Sequence, residues 1–165
     1  MPEIVVTPEA GLEVVLAHHG PSHAVCFGSP TRPALQPGAV ETLTLTFHDI
    51  AEPRADHVAP NEKDVCELVA FARLWDGARP LVLQCWLGVS RSAAGALIAG
   101  AARGADAMAL ARQLRAASPS ATPNPLMLAL ADEALDLEGT LVAAGRAIGR
   151  GKVPVARPFV LVLPS

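Results

Sequence analysis

The chain has 165 residues, 51% of them hydrophobic and 18% charged, which is the length and apolar content of one domain able to bury a proper core. A formal charge of -3 and a pI near 5.9 leave no broad basic surface, arguing against nucleic acid or an anionic membrane as partner and confining any anion binding to a local site. Met1-Pro2-Glu3-Ile4 lacks the basic and apolar regions of a secretory signal, and no run approaches the roughly 18 apolar residues of a membrane span, so a cytoplasmic location is expected.

In chain order, the β-branched run Ile4-Val5-Val6 predicts a strand. Thr7-Pro8-Glu9 then reads as an N-cap followed by proline at the first helical position, predicting a helix through Leu12 to Leu16. His23 to Phe27 is a second strand, closed by Gly28-Ser29-Pro30, and a proline-rich loop follows to Gly38. From Glu41 to Phe47, Thr42, Thr44 and Thr46 alternate with Leu43, Leu45 and Phe47, a period of two that predicts a strand with one face more buried. Its end delivers His48-Asp49 to a loop.

Between Asn61 and Trp75, Val65, Leu68, Val69, Ala72 and Leu74 recur at helical spacing, with Asn61 as the cap and Gly77 past the end. Pro80-Leu81-Val82-Leu83 is wholly apolar, the pattern of a strand buried on both faces. Ser90 to Arg103, Ala105 to Ala116 and Leu126 to Leu137 predict three helices. The apolar stretch Phe159 to Leu163, within a C-terminal extension over 151–165, is either an added edge strand or a partner-binding arm. Strands alternating with helices give the expected fold class: α/β, a central, mainly parallel sheet of four to five strands flanked by helices, in a single domain over 1–165.

The three cysteines, Cys26, Cys66 and Cys85, are odd in number with no close pair, which favours reduced thiols over a disulfide framework or a zinc site. Cys26 and Cys66, on a predicted strand and a predicted helix, are expected to be small buried hydrophobes. Cys85 differs. It ends the apolar strand, and six residues later Arg91 falls in the first turn of a helix. A short strand-to-helix loop of Trp86, Leu87, Gly88, Val89 and Ser90 can aim its amides inward, Gly88 allows close approach, and the helix N-terminus adds partial positive charge. Arg91 supplies a planar fork matched to two oxygens of a phosphate. The same positive surroundings favour the thiolate form of a cysteine, placing a nucleophile at the base of an oxyanion cradle.

Cys85 to Arg91 followed by Ser92 matches the C-x5-R-[ST] signature of the cysteine-dependent protein tyrosine phosphatase superfamily, and Gly88-Val89-Ser90-Arg91-Ser92 resembles its dual-specificity-like, bacterial-type branch. The resemblance implies a phosphotyrosine protein phosphatase-like fold, no cofactor, and hydrolysis of a phosphate monoester on a protein or small molecule through a phosphocysteine. Cys85 would be the nucleophile and Arg91 the phosphate clamp, with Ser92 hydrogen-bonding the sulfur. It also implies a carboxylic acid on a neighbouring loop, for which Asp49 is the first candidate, Asp56 the second and Glu52 a weaker third. Asn124, in a Pro-Asn segment before a helix, would buttress the loop. The chain departs from the family at Gln84, where a histidine is usual. Gln84 can donate hydrogen bonds but cannot be cationic, so a less acidic Cys85 is expected, and a non-catalytic phosphate-binding module is the alternative. No metal site is predicted, since no cysteine or carboxylate joins His48 and His57 at ligand spacing. Oligomeric state has no signal in the sequence.

Overall fold

The computed structural model describes residues 1–38, 40–153 and 155–165. Five strands, β1 (Glu3–Pro8), β2 (His23–Gly28), β3 (Glu41–Thr46), β4 (Leu81–Cys85) and β5 (Phe159–Val162), form one sheet in the order β3-β2-β4-β1-β5. β1 to β4 are mutually parallel, and β5 runs antiparallel to β1, with Val6 opposite Phe159. The apolar tail is therefore an edge strand of the sheet.

β4 lies between β1 and β2, and every one of its residues is buried. Leu81, Leu83 and Cys85 join the larger core, packed by α2 (Glu62–Leu74), α3 (Arg91–Ala102), α4 (Ala107–Ala117), α5 (Pro125–Ala134) and α6 (Thr140–Ile148). Val82 points the other way, into a smaller core with Val5, Ala24, Cys26 and the Leu12 and Val15 side chains of α1 (Leu12–His19). Burial on both faces is why this strand reads as an unbroken apolar run. Because β1 to β4 are parallel, their carboxyl ends meet at one edge, where Pro8 pairs with Cys85 and Gly28 with Thr46. In open α/β sheets ligands bind outside that edge.

α2 matches its sequence pattern closely. The Asn61 side chain accepts from the Asp64 amide while Asp64 accepts from the Asn61 amide, a reciprocal cap. The pattern fails at the far end, where Leu74 is exposed and Trp75 is buried instead. The backbone turns extended at Trp75, swinging the indole inward so that its N–H donates to the Arg79 carbonyl at 2.7 Å.

Three further expectations are corrected. Thr7-Pro8-Glu9 caps no helix: β1 continues through Pro8, Glu9–Gly11 forms a single 3-10 turn, and α1 follows from Leu12 without a side-chain cap. Proline is tolerated at Pro8 because the antiparallel neighbour pairs only as far as Val6, so no ladder bond from its nitrogen is needed on that side. The helix read to Leu137 stops at Ala134, and the unpredicted α6 begins at Thr140. α6 has no cap of its own at Gly139. The carboxylate of Asp132, in the last turn of α5, accepts from the amides of Gly139, Leu141 and Val142 instead. Cys66 lies on the exposed face of α2, not in the core.

Cys26 is buried as expected, and burial pushes its thiol up to about 12. An acid whose ionisation is raised this far stays protonated throughout the neutral range, so at pH 8 Cys26 should resist alkylation on two counts, access and charge. In the native Cys85→Ser variant, mass-resolved labelling is expected to modify Cys66 alone, with Cys26 reacting only after denaturation. Among the described residues no helix is long and apolar enough to cross a membrane.

Candidate active site

The loop from Cys85 to Arg91 sits at the carboxyl edge of the sheet, held by its carbonyl groups. The Trp86 carbonyl accepts from the Glu9 amide at 3.1 Å, the Val89 carbonyl from the Thr122 amide at 2.8 Å, and the Ser90 carbonyl from the Ala94 and Asn124 amides. The amides of residues 86–90, by contrast, donate to no protein group among the described residues. With its carbonyls turned outward and bonded, the loop keeps a run of unused donors, the requirement for an anion nest. Gly88 is required sterically. Its φ is +69°, and a Cβ there would lie 2.6 Å from the Pro8 nitrogen at the end of β1.

Arg91 opens α3 and is only 6% exposed. Its Nη1 donates to the Gly28 carbonyl at 2.8 Å and the Phe47 carbonyl at 3.0 Å, so the ends of β2 and β3 fix one edge of the guanidinium. Nε is buried without a partner. Among the described residues the ion pairs are Arg32–Glu9 and Lys63–Glu67, leaving this buried cation with no carboxylate. An uncompensated buried charge is expensive, by several kcal/mol, unless a counter-ion completes it.

Cys85 is 3% exposed, with its Sγ 3.0 Å from the Oγ of the fully buried Ser92. As an O–H donor, Ser92 stabilises sulfur best when the sulfur is anionic. Gln84, the residue before, is 1% exposed, and its Oε1 has no hydrogen-bond partner. Strand alternation turns its side chain to the opposite face from Cys85.

Of the three carboxylates considered, Asp49 is the one hydrogen-bonded to the loop. Its Oδ1 accepts from Ser90 Oγ at 2.7 Å and from Asn124 Nδ2 at 2.8 Å. Both bonds fall on the same oxygen, and Oδ2 makes no hydrogen bond among the described residues. Asn124 does four things: its Oδ1 caps α5 through the Met127 amide, its Nδ2 also holds the Ile50 carbonyl, and its own amide donates to Ser90. Asp56 and Glu52 are exposed and make no bond to the loop among the described residues. Asp56 occupies a turn at φ 59°. His48 belongs to the same loop structurally, its Nδ1 accepting from the Val58 amide at 2.9 Å and its ring 4.9 Å from that of His57.

This architecture matches solved structures. Human DUSP28 aligns with a TM-score of 0.58 at 23% identity over 82% of this chain and 94% of its own. DUSP15 aligns at 0.62 and 19% identity over 90% and 91%, and PTPMT1 in complex with PI(5)P at 0.59 and 15% over 87% and 94%. The fold is that of the dual-specificity phosphatases. No protein-family model matches the sequence. No curated protein matches it either.

On this dual-specificity phosphatase fold, Trp86 and Leu87 form an exposed rim on the β1 side of the loop. The Arg32 guanidinium stacks 4.4 Å above the Trp86 ring and pairs with Glu9 at 3.2 Å, so Trp86 packs outside the cradle rather than within it. Several supports have no signal in the sequence because they are main-chain groups, notably the Gly28 and Phe47 carbonyls. Arg115 was also missed. Its guanidinium donates to the carbonyls of Ser118, Pro119, Ala121, Ile148 and Gly149, shaping the segment that carries Thr122 and Asn124.

Proposed function

We propose that the chain is a phosphatase that hydrolyses phosphate monoesters through a phosphocysteine. What carries this reading is the buried, carboxylate-free Arg91 with its orphaned Nε, beside a run of unused amides and a cysteine at the base of the same loop. An anion with several oxygens satisfies all three features together. The thiolate of Cys85 attacks phosphorus, forming the S–P bond as the P–O bond to the leaving group breaks, and Asp49 delivers a proton to the departing oxygen. Water then attacks phosphorus and gives its proton to the Asp49 carboxylate, and the S–P bond breaks to return the thiolate. Ser92 stabilises that thiolate. Arg91 and the loop amides hold the equatorial oxygens throughout. The substrate is a phosphorylated protein or small phosphate monoester; the phosphoinositide in the PTPMT1 complex is a third chemical class for the same cradle.

Aryl phosphates of graded leaving-group acidity test the reading. Asp49→Asn should slow hydrolysis by about 10²-fold or more for poor leaving groups and progressively less for good ones, because the latter need no proton. Equal slowing across the series would remove Asp49 from the acid role. A second reading, a phosphate-binding module without turnover, draws on Gln84, whose buried Oε1 has no partner where the family carries a histidine. Phosphate binding with no detectable hydrolysis of any aryl phosphate would establish it.

A further inference from the structure

A groove of ≈ 830 Å³ begins at Asp49 and Ser90 and runs away from the loop between α5, α6 and the segment after α6. Its floor is apolar, with Val89, Leu128 and Val142, and its wall carries Arg146, Arg150 and Lys152. These three cations are exposed, and none has an acidic partner among the described residues. The one carboxylate lining the groove is Asp49, at its loop end. In a chain of net charge -3, three unpaired cations along one wall are a local concentration against the general sign.

The wall is built, not loose. The Lys152 amide donates to the Pro119 carbonyl at 2.9 Å, the Gly151 amide to Thr122 Oγ1 at 2.9 Å, and Arg115 holds the Ile148 and Gly149 carbonyls. It is thus fastened to the 118–124 segment, whose Asn124 positions Asp49.

Building on the phosphatase reading, we infer that this groove binds an acidic peptide segment flanking the phosphorylated residue, making the substrate a phosphoprotein with Asp or Glu beside its phosphosite. The cations come from the last turn of α6, the residue after its Gly149 cap, and the segment beyond. Charges distributed along a wall match successive carboxylates of an extended chain better than one compact phosphate, which needs donors converging on a point. The apolar floor takes the side chains between the acidic ones.

The test compares two phosphotyrosine peptides of one length, one with Asp and Glu flanks and one with Asn and Gln flanks. The readout is the ratio of their kcat/KM values, in wild type and in the R146A/R150A/K152A variant. Wild type should prefer the acidic peptide by about tenfold, chiefly through KM, with the preference lost in the variant and collapsing as salt rises to about 0.5 M. All three residues are exposed, so the variant should fold, and circular dichroism checks this. Equal kcat/KM for the two peptides in wild type, or a ratio unchanged in the variant, overturns the inference. So does a variant that loses binding to phosphatidylcholine vesicles doped with a phosphoinositide while its peptide ratio stays put. Binding of both peptides to Cys85→Ser, followed by fluorescence anisotropy, separates this claim from the catalytic one: an acidic preference there supports the groove even if no turnover is found, and no preference overturns it.

Discussion

Cys85→Ser should abolish aryl phosphate hydrolysis, lowering kcat by at least about 10³-fold, since no other group can form the covalent intermediate. Cys66 is exposed on α2, and Cys26 belongs to the core on the opposite face of the sheet. Neither can stand in for a sulfur at the base of the loop. The substitution exchanges sulfur for oxygen in a nearly fully buried site without changing the loop backbone, so phosphate binding should survive. A serine hydroxyl at position 85 can still pair with Ser92, whose Oγ lies 3.0 Å from Sγ in the unsubstituted chain. Residual hydrolysis above about one per cent of wild type, verified free of contaminating phosphatase, would rule out the phosphocysteine route. The decisive complement is trapping: brief acid quenching of wild type with substrate should reveal a protein heavier by one phosphoryl group on Cys85, and the variant none.

The second large effect concerns Arg91 and is read in stability as well as rate. Inorganic phosphate that binds only the folded protein stabilises it by about 2.7 kcal/mol at a hundredfold excess over its dissociation constant, which for a chain of this length raises Tm by roughly 5–10 °C. Wild type should show that shift. Arg91→Met should not, because it removes both the charge and the fork, and hydrolysis should fall by about 10³-fold or more. Arg91→Lys is the sharper control. It keeps a positive charge but not two parallel N–H donors, and it cannot hold the Gly28 and Phe47 carbonyls while also facing the ligand. A Tm shift less than half that of wild type is expected. A full shift in Arg91→Met would mean that the anion is held elsewhere, by the Arg146 to Lys152 wall for example.

The two experiments bear on Gln84 together. In the phosphatases that the loop resembles, this position is usually a histidine; here it is an amide whose oxygen is buried and has no hydrogen-bond partner among the described residues. An unsatisfied buried acceptor costs about 1–3 kcal/mol, and proteins commonly retain such groups where function rather than stability is served. A phosphate-induced Tm rise without turnover would assign the chain to binding. A rise with turnover would show that Ser92, the loop amides and the start of α3 suffice to maintain a reactive thiolate without a neighbouring imidazole.

What the sequence made legible is what depends on near neighbours in the chain. The alternation through Glu41 to Phe47, the apolar run ahead of Cys85 and the Asn61 cap are local patterns, and each forms as its period and composition dictate. The cradle was legible for the same reason: strand end, glycine, arginine and helix start all lie within nine residues, Gln84 to Ser92. Asp49 was reachable only through resemblance, because nothing local says that a residue 41 positions earlier will be tied to Ser90. Cys66 and Leu74 were misplaced because apolar character alone does not tell which face of a helix is inward, nor where the helix ends.

The sequence by itself therefore determined the kind of site, a thiol and a guanidinium on one strand-to-helix loop, and the α/β class that presents it. Tertiary structure alone decided how the site is held: Gly28 and Phe47 carbonyls on Arg91, Ser90 and Asn124 on Asp49, Thr122 on the loop, and the cationic wall fastened by Arg115. It also decided α6, whose start is capped by Asp132 from another helix, and β5, which pairs with a strand more than 150 residues away. The reason is common to all of these. Main-chain acceptors are the same at every residue, so which of them meets a given donor is settled by the packing of distant elements and leaves no mark in the local pattern of side chains.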